Sequence, residues 1–241
     1  MHTIVILVAA LLPAVVLWNY VWKKDPIPEP GGQLLKALGY GIAICLPVAF
    51  LELALQGVFF GEDLNPTSFL GSTVDAFFVA ALPEESAKLL ALWLVLRKNP
   101  YFDEHYDGIV YAVSVGLGFA AVENFFYLLN EENWLQVAIT RGLLAVPGHY
   151  AFAVLMGYYY SVYHFVDHSP RNAFYILFVP FMAHGIYDAL IMGGQVAPVI
   201  GVLGFLTLIW FCTKMQKAAN AKITALIEKD RQDGQEPAWN A

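Results

Sequence analysis

The chain of 241 residues is 59% hydrophobic and only 14% charged, with a mean hydropathy of +0.57. A soluble domain is nearer half apolar and a quarter charged, so a water-soluble globule is excluded and a one-domain polytopic membrane protein is expected. The net charge of −7 is segregated along the chain, and no basic patch carries interleaved aromatics, which sets nucleic acid aside as a partner.

The first apolar run, 4–22, follows Met1, His2 and Thr3 without a basic flank. It is too long for a signal-peptide core and reads as a retained helix with its N-terminus outside. A Pro/Gly-rich loop, 23–33, leads to a second run at 34–60. The loop 61–72 is acidic, with Glu62, Asp63 and an Asn65-Pro66 turn, and precedes a third run at 73–96. After the Arg97-Lys98-Asn99-Pro100 turn come runs at 108–129, 139–166, 172–192 and 196–214. Each is long enough to cross a bilayer at about 20 residues per span. The expected architecture is therefore an all-α bundle of about seven transmembrane helices. Residues 1–216 form one domain with its working core at about 73–192, and residues 217–241 form a polar cytoplasmic tail that continues the last helix briefly and frays. Cys45 and Cys212 fall in apolar runs and read as small buried hydrophobes.

Charge fixes an orientation. Of the 13 Lys and Arg residues, Lys23, Lys24, Lys36, Arg97, Lys98, Arg171, Lys214, Lys217, Lys222, Lys229 and Arg231 share one side in this layout. Only Arg141 falls opposite, and Lys88 lies within a span. The positive-inside rule then gives N-terminus out and C-terminus in, with Glu62, Asp63, Glu131 and Glu132 external.

Seven ionisable groups sit where hydrocarbon is expected: Glu84, Glu85, Lys88, Glu123, His149, His184 and Asp188. A lone charge near a bilayer centre costs roughly 2.5–3.5 kcal/mol, so these groups must face one another or water. Counting from the helix ends puts Glu84 and His149 roughly 16 Å deep from outside, and Glu123 and Asp188 roughly 23 Å from inside. All converge on one layer between the midplane and the outer surface. Glu84 and Lys88 share a helix face by their i, i+4 spacing, and so do His184 and Asp188. One lysine cannot neutralise two carboxylates, which suits one of them to act as a general base. Pro83 frees the carbonyl of Val79 at the same depth. Small residues at Gly116, Gly118, Ala120 and Ala121 allow close packing beside Glu123, and Asn124 follows it.

Two chemistries fit these residues. Zn²⁺ is a candidate cofactor, held by Glu123, His149 and His184 with Glu85 or Asp188, one position staying open. Without metal, Glu84 activates water while an imidazole stabilises the oxyanion. Both lead to hydrolysis within the membrane. Outside this set, Glu52 reads as a satisfied boundary residue or, alternatively, as the lining of an entrance, and Asp75 and Asp107 read as helix caps. His105, His164 and His168 read as cytoplasmic-face residues, and Tyr158–Tyr160 with Tyr163 as an interfacial belt.

Four motifs in order, Glu84-Glu85-x-x-Lys88, Phe119-x-x-x-Glu123-Asn124, Pro147-Gly148-His149 and His184-x-x-x-Asp188, resemble the PrsW family of intramembrane proteases. More distantly they resemble the CAAX-processing membrane endopeptidases. The approach Asp107-Gly108-x-x-Tyr111 to Gly116-x-Gly118-Phe119 is similar too. The resemblance spans about half the chain. It implies peptide-bond cleavage in a membrane protein substrate, single-span and anti-sigma-factor-like, near the extracytoplasmic side of a bacterial cytoplasmic membrane. It implies Glu84 as the water-activating base, with Glu85 and Lys88 shaping its charge. Glu123 stands where the CAAX-processing enzymes carry a histidine. The competing expectations are an ion- or proton-coupled transporter, which should show an inverted repeat that this chain lacks, a seven-span zinc lipid hydrolase, and a catalytically silent receptor for membrane segments.

Overall fold

The computed structural model describes residues 2–61, 66–129, 131–196 and 198–233, with backbone only at 2, 195–196 and 198–205. The expected loop at Glu62, Asp63 and Asn65, and the last tail residues 234–241, lie outside the described residues.

Seven helical rods follow one another, and no strand occurs among the described residues. Helix α1 is His2–Trp22 and α2 is Gly31–Phe60. Pro26, Pro28 and Pro30 keep the connection between them extended. Helix α3 spans 69–96 in three pieces: an α turn Phe69–Val74, a π segment Asp75–Ala81, and an α segment Leu82–Leu96. Ser68 caps its start by accepting the Gly71 N–H at 3.0 Å. Helix α4 is Asp107–Leu129. Helix α5, Trp134–Val166, breaks at Leu144 into Trp134–Leu143 and Ala145–Ser161, then ends in a short π turn, Val162–Val166. Pro147 explains the break, since it has no N–H to give the carbonyl four residues back. Helix α6 is Pro170–Val196 and α7 is Pro198–Gln232.

Among the described residues, five rods are long and apolar enough to cross a membrane: Thr3–Trp22, Gly31–Phe60, Asp107–Leu129, Trp134–Val166 and Pro170–Gly194. Helix α3 differs from them in carrying Asp75, Glu84, Glu85 and Lys88. These are the charges that fill the interior.

Helix α4 is the axis. Residues 107–121 are buried all round, as an evenly apolar helix must be. Helix α5 lies against it so closely that a Cβ on Gly157 would strike the Gly108 carbonyl. Helix α2 crosses its other side, where a Cβ on Gly118 would strike the Leu38 carbonyl. Glycine at both places lets backbones meet where a larger residue would part them. Helices α1 and α2 turn Ile4, Val8, Leu12, Phe50 and Val58 outward, all more than half exposed, a surface suited to acyl chains.

The chain after Lys214 departs from expectation. Helix α7 does not fray there but runs on to Gln232, with Ala219, Ile223 and Leu226 buried against the bundle. The Lys222 ammonium stacks over Tyr158 at 3.9 Å. Asp230 accepts the backbone N–H groups of His105 and Tyr106 at 2.8 and 2.9 Å and lies 2.6 Å from His105 Nδ1. An apolar stripe at helical spacing among lysines provides the docking face.

Candidate active site

The π segment of α3 ends at Leu82, whose N–H bonds the Phe77 carbonyl five residues back. Pro83 follows in the first α turn, where its missing N–H is tolerated. This junction delivers Glu84, Glu85 and Lys88 to the bundle interior, each about 95% buried or more. The Lys88 ammonium donates to Glu84 Oε2 and to Glu85 Oε1, both at 2.8 Å, and lies 3.2 Å from His149 Nδ1. Its three N–H donors thus have three partners. The Phe119 ring of α4 lies 4.4 Å beneath it.

The two imidazoles are arranged alike. His149 turns Nδ1 toward the glutamates of α3, with Glu84 Oε2 at 3.9 Å. Its Nε2 meets Glu123 Oε2 of α4 at 2.8 Å. His184 turns Nδ1 to Glu85 Oε1 at 2.9 Å, and its Nε2 meets Asp188 Oδ2 at 3.1 Å. The two rings sit 5.2 Å apart, edge to face, and Phe152 stacks on His184 at 4.7 Å. All seven residues picked out in the sequence therefore meet in one place, from α3, α4, α5 and α6.

Glu84, Glu85, His149 and His184 can each offer one ligand atom within 4.8 Å of the others. Two imidazoles and two carboxylates suit zinc's borderline preference. Glu85 also keeps a buried oxygen, Oε2, with no partner. An imidazole with a carboxylate on both nitrogens, as His184 has, is either doubly protonated or shares a cation with one of them. The donor set therefore fits a metal ion. Glu123 and Asp188 hold the far nitrogens of the imidazoles rather than joining that group of four.

Sequence reasoning passed over Arg141 and Asp75 and gave less weight to the lining role of Glu52. Arg141 of α5 donates Nε–H to Asn124 Oδ1 at 2.9 Å and pairs with Glu123 Oε2 at 3.0 Å. Its one visible signal was its isolation as a cation on the wrong side. Glu52 takes the entrance-lining reading rather than that of a satisfied residue, and Asp75 lies within the helix and caps nothing. Both line a cavity of about 1220 Å³ that also exposes Glu84, Glu123, His149, His184 and Asp188. Each keeps a buried oxygen without a partner, Glu52 Oε1 and Asp75 Oδ1. The cavity reaches Pro66, Glu131 and Thr140, at the end of the bundle that holds the α4–α5 connection.

Because Glu123 and Asp188 fix the imidazoles through Nε2, Glu123→Gln and Asp188→Asn are each expected to lower activity by about 10–100-fold with the fold retained. The check is a cleavage rate measured beside a thermal melt of each variant.

A family model described as PrsW family intramembrane metalloprotease matches residues 29–213. A "Protease PrsW" of Oceanobacillus iheyensis is 34% identical over 206 residues, 85% of this chain and 91% of the relative. One of Geobacillus kaustophilus is 35% identical over 189 residues, 78% and 80% of the two chains. One of Bacillus subtilis is 31% identical over 226 residues, 92% and 98%. No solved structure matches the chain. Buried acids and imidazoles at the centre of a lipid-facing bundle, on a chain matched over most of its length, lead to one conclusion: this integral membrane protein belongs to the PrsW family of intramembrane proteases.

Proposed function

We propose that the protein cleaves a peptide bond of a single-span, anti-sigma-factor-like membrane protein near the extracytoplasmic side, with Glu84 as the general base. One observation carries this reading. Glu84 borders the cavity, while Glu85 beside it is fully buried. The two adjacent carboxylates thus have different tasks. Glu84 can reach a water in the cavity, take its proton as it attacks the carbonyl, and return that proton to the leaving amine. Glu85 stays fixed between Lys88 and His184. Zn²⁺ held by Glu85, His149 and His184 would supply Lewis acidity and bring the pKa of water to about 7. Glu123 and Asp188 keep both imidazoles turned with Nδ1 inward. The charge bias of the loops supports an extracytoplasmic position for the cavity's Glu131 end.

A metal-free form of the same reaction rests on a separate observation, the Lys88 ammonium already lying between the two carboxylates. In that form the His184 imidazole turns its Nδ1–H from Glu85 to the developing oxyanion.

The test is co-reconstitution of the pure protein with a single-span substrate, and mass spectrometry of the new ends. A cut in the extracytoplasmic half supports the proposal. A cut in the cytoplasmic half, or none, overturns it. Elemental analysis with activity before and after chelation separates the two forms. One zinc per chain whose removal stops turnover selects the metal, and full turnover without metal selects the Glu84–His184 route.

A further inference from the structure

A second set of acids lies at the opposite end of α4. Asp25 of the α1–α2 loop, Glu104 of the α3–α4 loop and Asp107 at the start of α4 bring one oxygen each within 4.8 Å of the others. Glu29 and Asp103 form a second group of this kind with the same Asp107. None of the three is a surface carboxylate: they are 6%, 4% and 0% exposed.

The protein's own donors are spent on one side of these groups. Asp25 Oδ1 accepts the Ile27 N–H at 3.1 Å. Asp107 Oδ2 accepts the N–H groups of Asp103 and Glu104 at 3.0 and 2.8 Å. Asp25 Oδ2 and Glu104 Oε2 are buried and have no partner, and Asp107 Oδ1 is buried and accepts no N–H, the side chain that meets the Asp107 carboxyl being Glu29. The His105 imidazole of the same loop is turned to Asp230. Among the described residues no lysine or arginine pairs with any of the three. Tyr111 donates its hydroxyl to Glu29, so that carboxylate too is aimed inward.

Three buried carboxylates that converge, each keeping an oxygen that accepts no N–H and none facing a lysine or arginine, form a site suited to a cation. The acids facing Asp25 are Glu29 and Asp230, and those facing Glu104 are Asp25, Asp230, Asp103 and Glu29. Donors that are all carboxylate oxygens select a hard cation over zinc. We propose that Asp25, Glu104 and Asp107 bind one hard divalent cation, Ca²⁺ or Mg²⁺, at the end of the bundle remote from the protease site. The ion ties the α1–α2 and α3–α4 loops to the first turn of the helix that carries Glu123 sixteen residues further on. The end of α7 reaches the same loop through Asp230, so the ion also steadies the place where that helix docks.

The test uses the full-length protein in detergent, stripped of metal, with Ca²⁺ or Mg²⁺ added alone. Expected are one ion per chain by calorimetry and a rise in Tm of about 5–10 °C at about 100-fold over Kd. Asp25→Asn and Glu104→Gln lose both signals. His184→Ala keeps them, which separates this site from the intramembrane one. A response to Ca²⁺ alone assigns a loose, carboxylate-rich shell, and a response to Mg²⁺ alone assigns an octahedral one that retains water. The proposal is overturned if neither ion gives heat or shifts Tm in the wild-type chain, if both carboxylate variants respond like wild type, or if His184→Ala abolishes the response.

Discussion

Glu84→Gln is expected to lower the rate of substrate cleavage by about 10²–10⁴-fold while leaving the protein folded. Gln keeps the shape of the side chain and can still accept a hydrogen bond from Lys88, but it cannot take a proton from water. The change also leaves Lys88 facing one carboxylate, Glu85, which is a balanced pair and not a stranded charge. Stability should therefore hold. The loss should fall on kcat with KM nearly unchanged, because a base acts on the transition state rather than on the bound substrate. Initial rates in proteoliposomes, read beside a thermal melt, decide the matter. A folded Glu84→Gln protein that cleaves at the wild-type rate removes Glu84 from the reaction.

Lys88→Met is expected to be the most destabilising single change at the site. It leaves Glu84 and Glu85 side by side, buried, with no ammonium between them, and takes a cation off the face of Phe119. Removing one partner of a buried pair costs about 3–5 kcal/mol, mostly through the charge left behind. For a chain of this size that lowers Tm by about 10 °C or more. Adding Glu85→Gln to Lys88→Met should restore much of the loss, since one of the two stranded charges is gone. A Lys88→Met protein that melts at the wild-type temperature would show that another cation balances the glutamates.

The helices were legible because their apolar runs are long and the turns between them carry Pro, Gly and charge. The site residues were legible for a related reason: an acid or imidazole inside such a run has few explanations. That reasoning brought together Glu84, Glu85, Lys88, Glu123, His149, His184 and Asp188. It works only inside hydrocarbon. Asp25, Glu29 and Glu104 sit in loops, where acids are ordinary, and nothing in their spacing says that the fold buries them. Helix α7 beyond Lys214 was obscured in the same way, because its buried stripe of Ala219, Ile223 and Leu226 runs through a segment dense in lysine. Asp75 was hidden by geometry. It precedes Glu84 by nine residues, which on a regular α-helix puts the two about 180° apart. A π segment takes an extra residue into each turn, and across Asp75–Ala81 this brings them within about 60°. Both consequently face the same cavity.

That extra residue has a bearing on how this helix tolerates change in length. A surplus position absorbed as a bulge can be removed without rotating what flanks it. Shortening α3 by one residue between Asp75 and Ala81 would leave the Glu84–Lys88 face in register with its partners on α5 and α6. Only the widened wall beside the cavity would be lost. The same deletion a few positions later, after Pro83, has no slack to draw on and would swing the ammonium out toward the acyl chains.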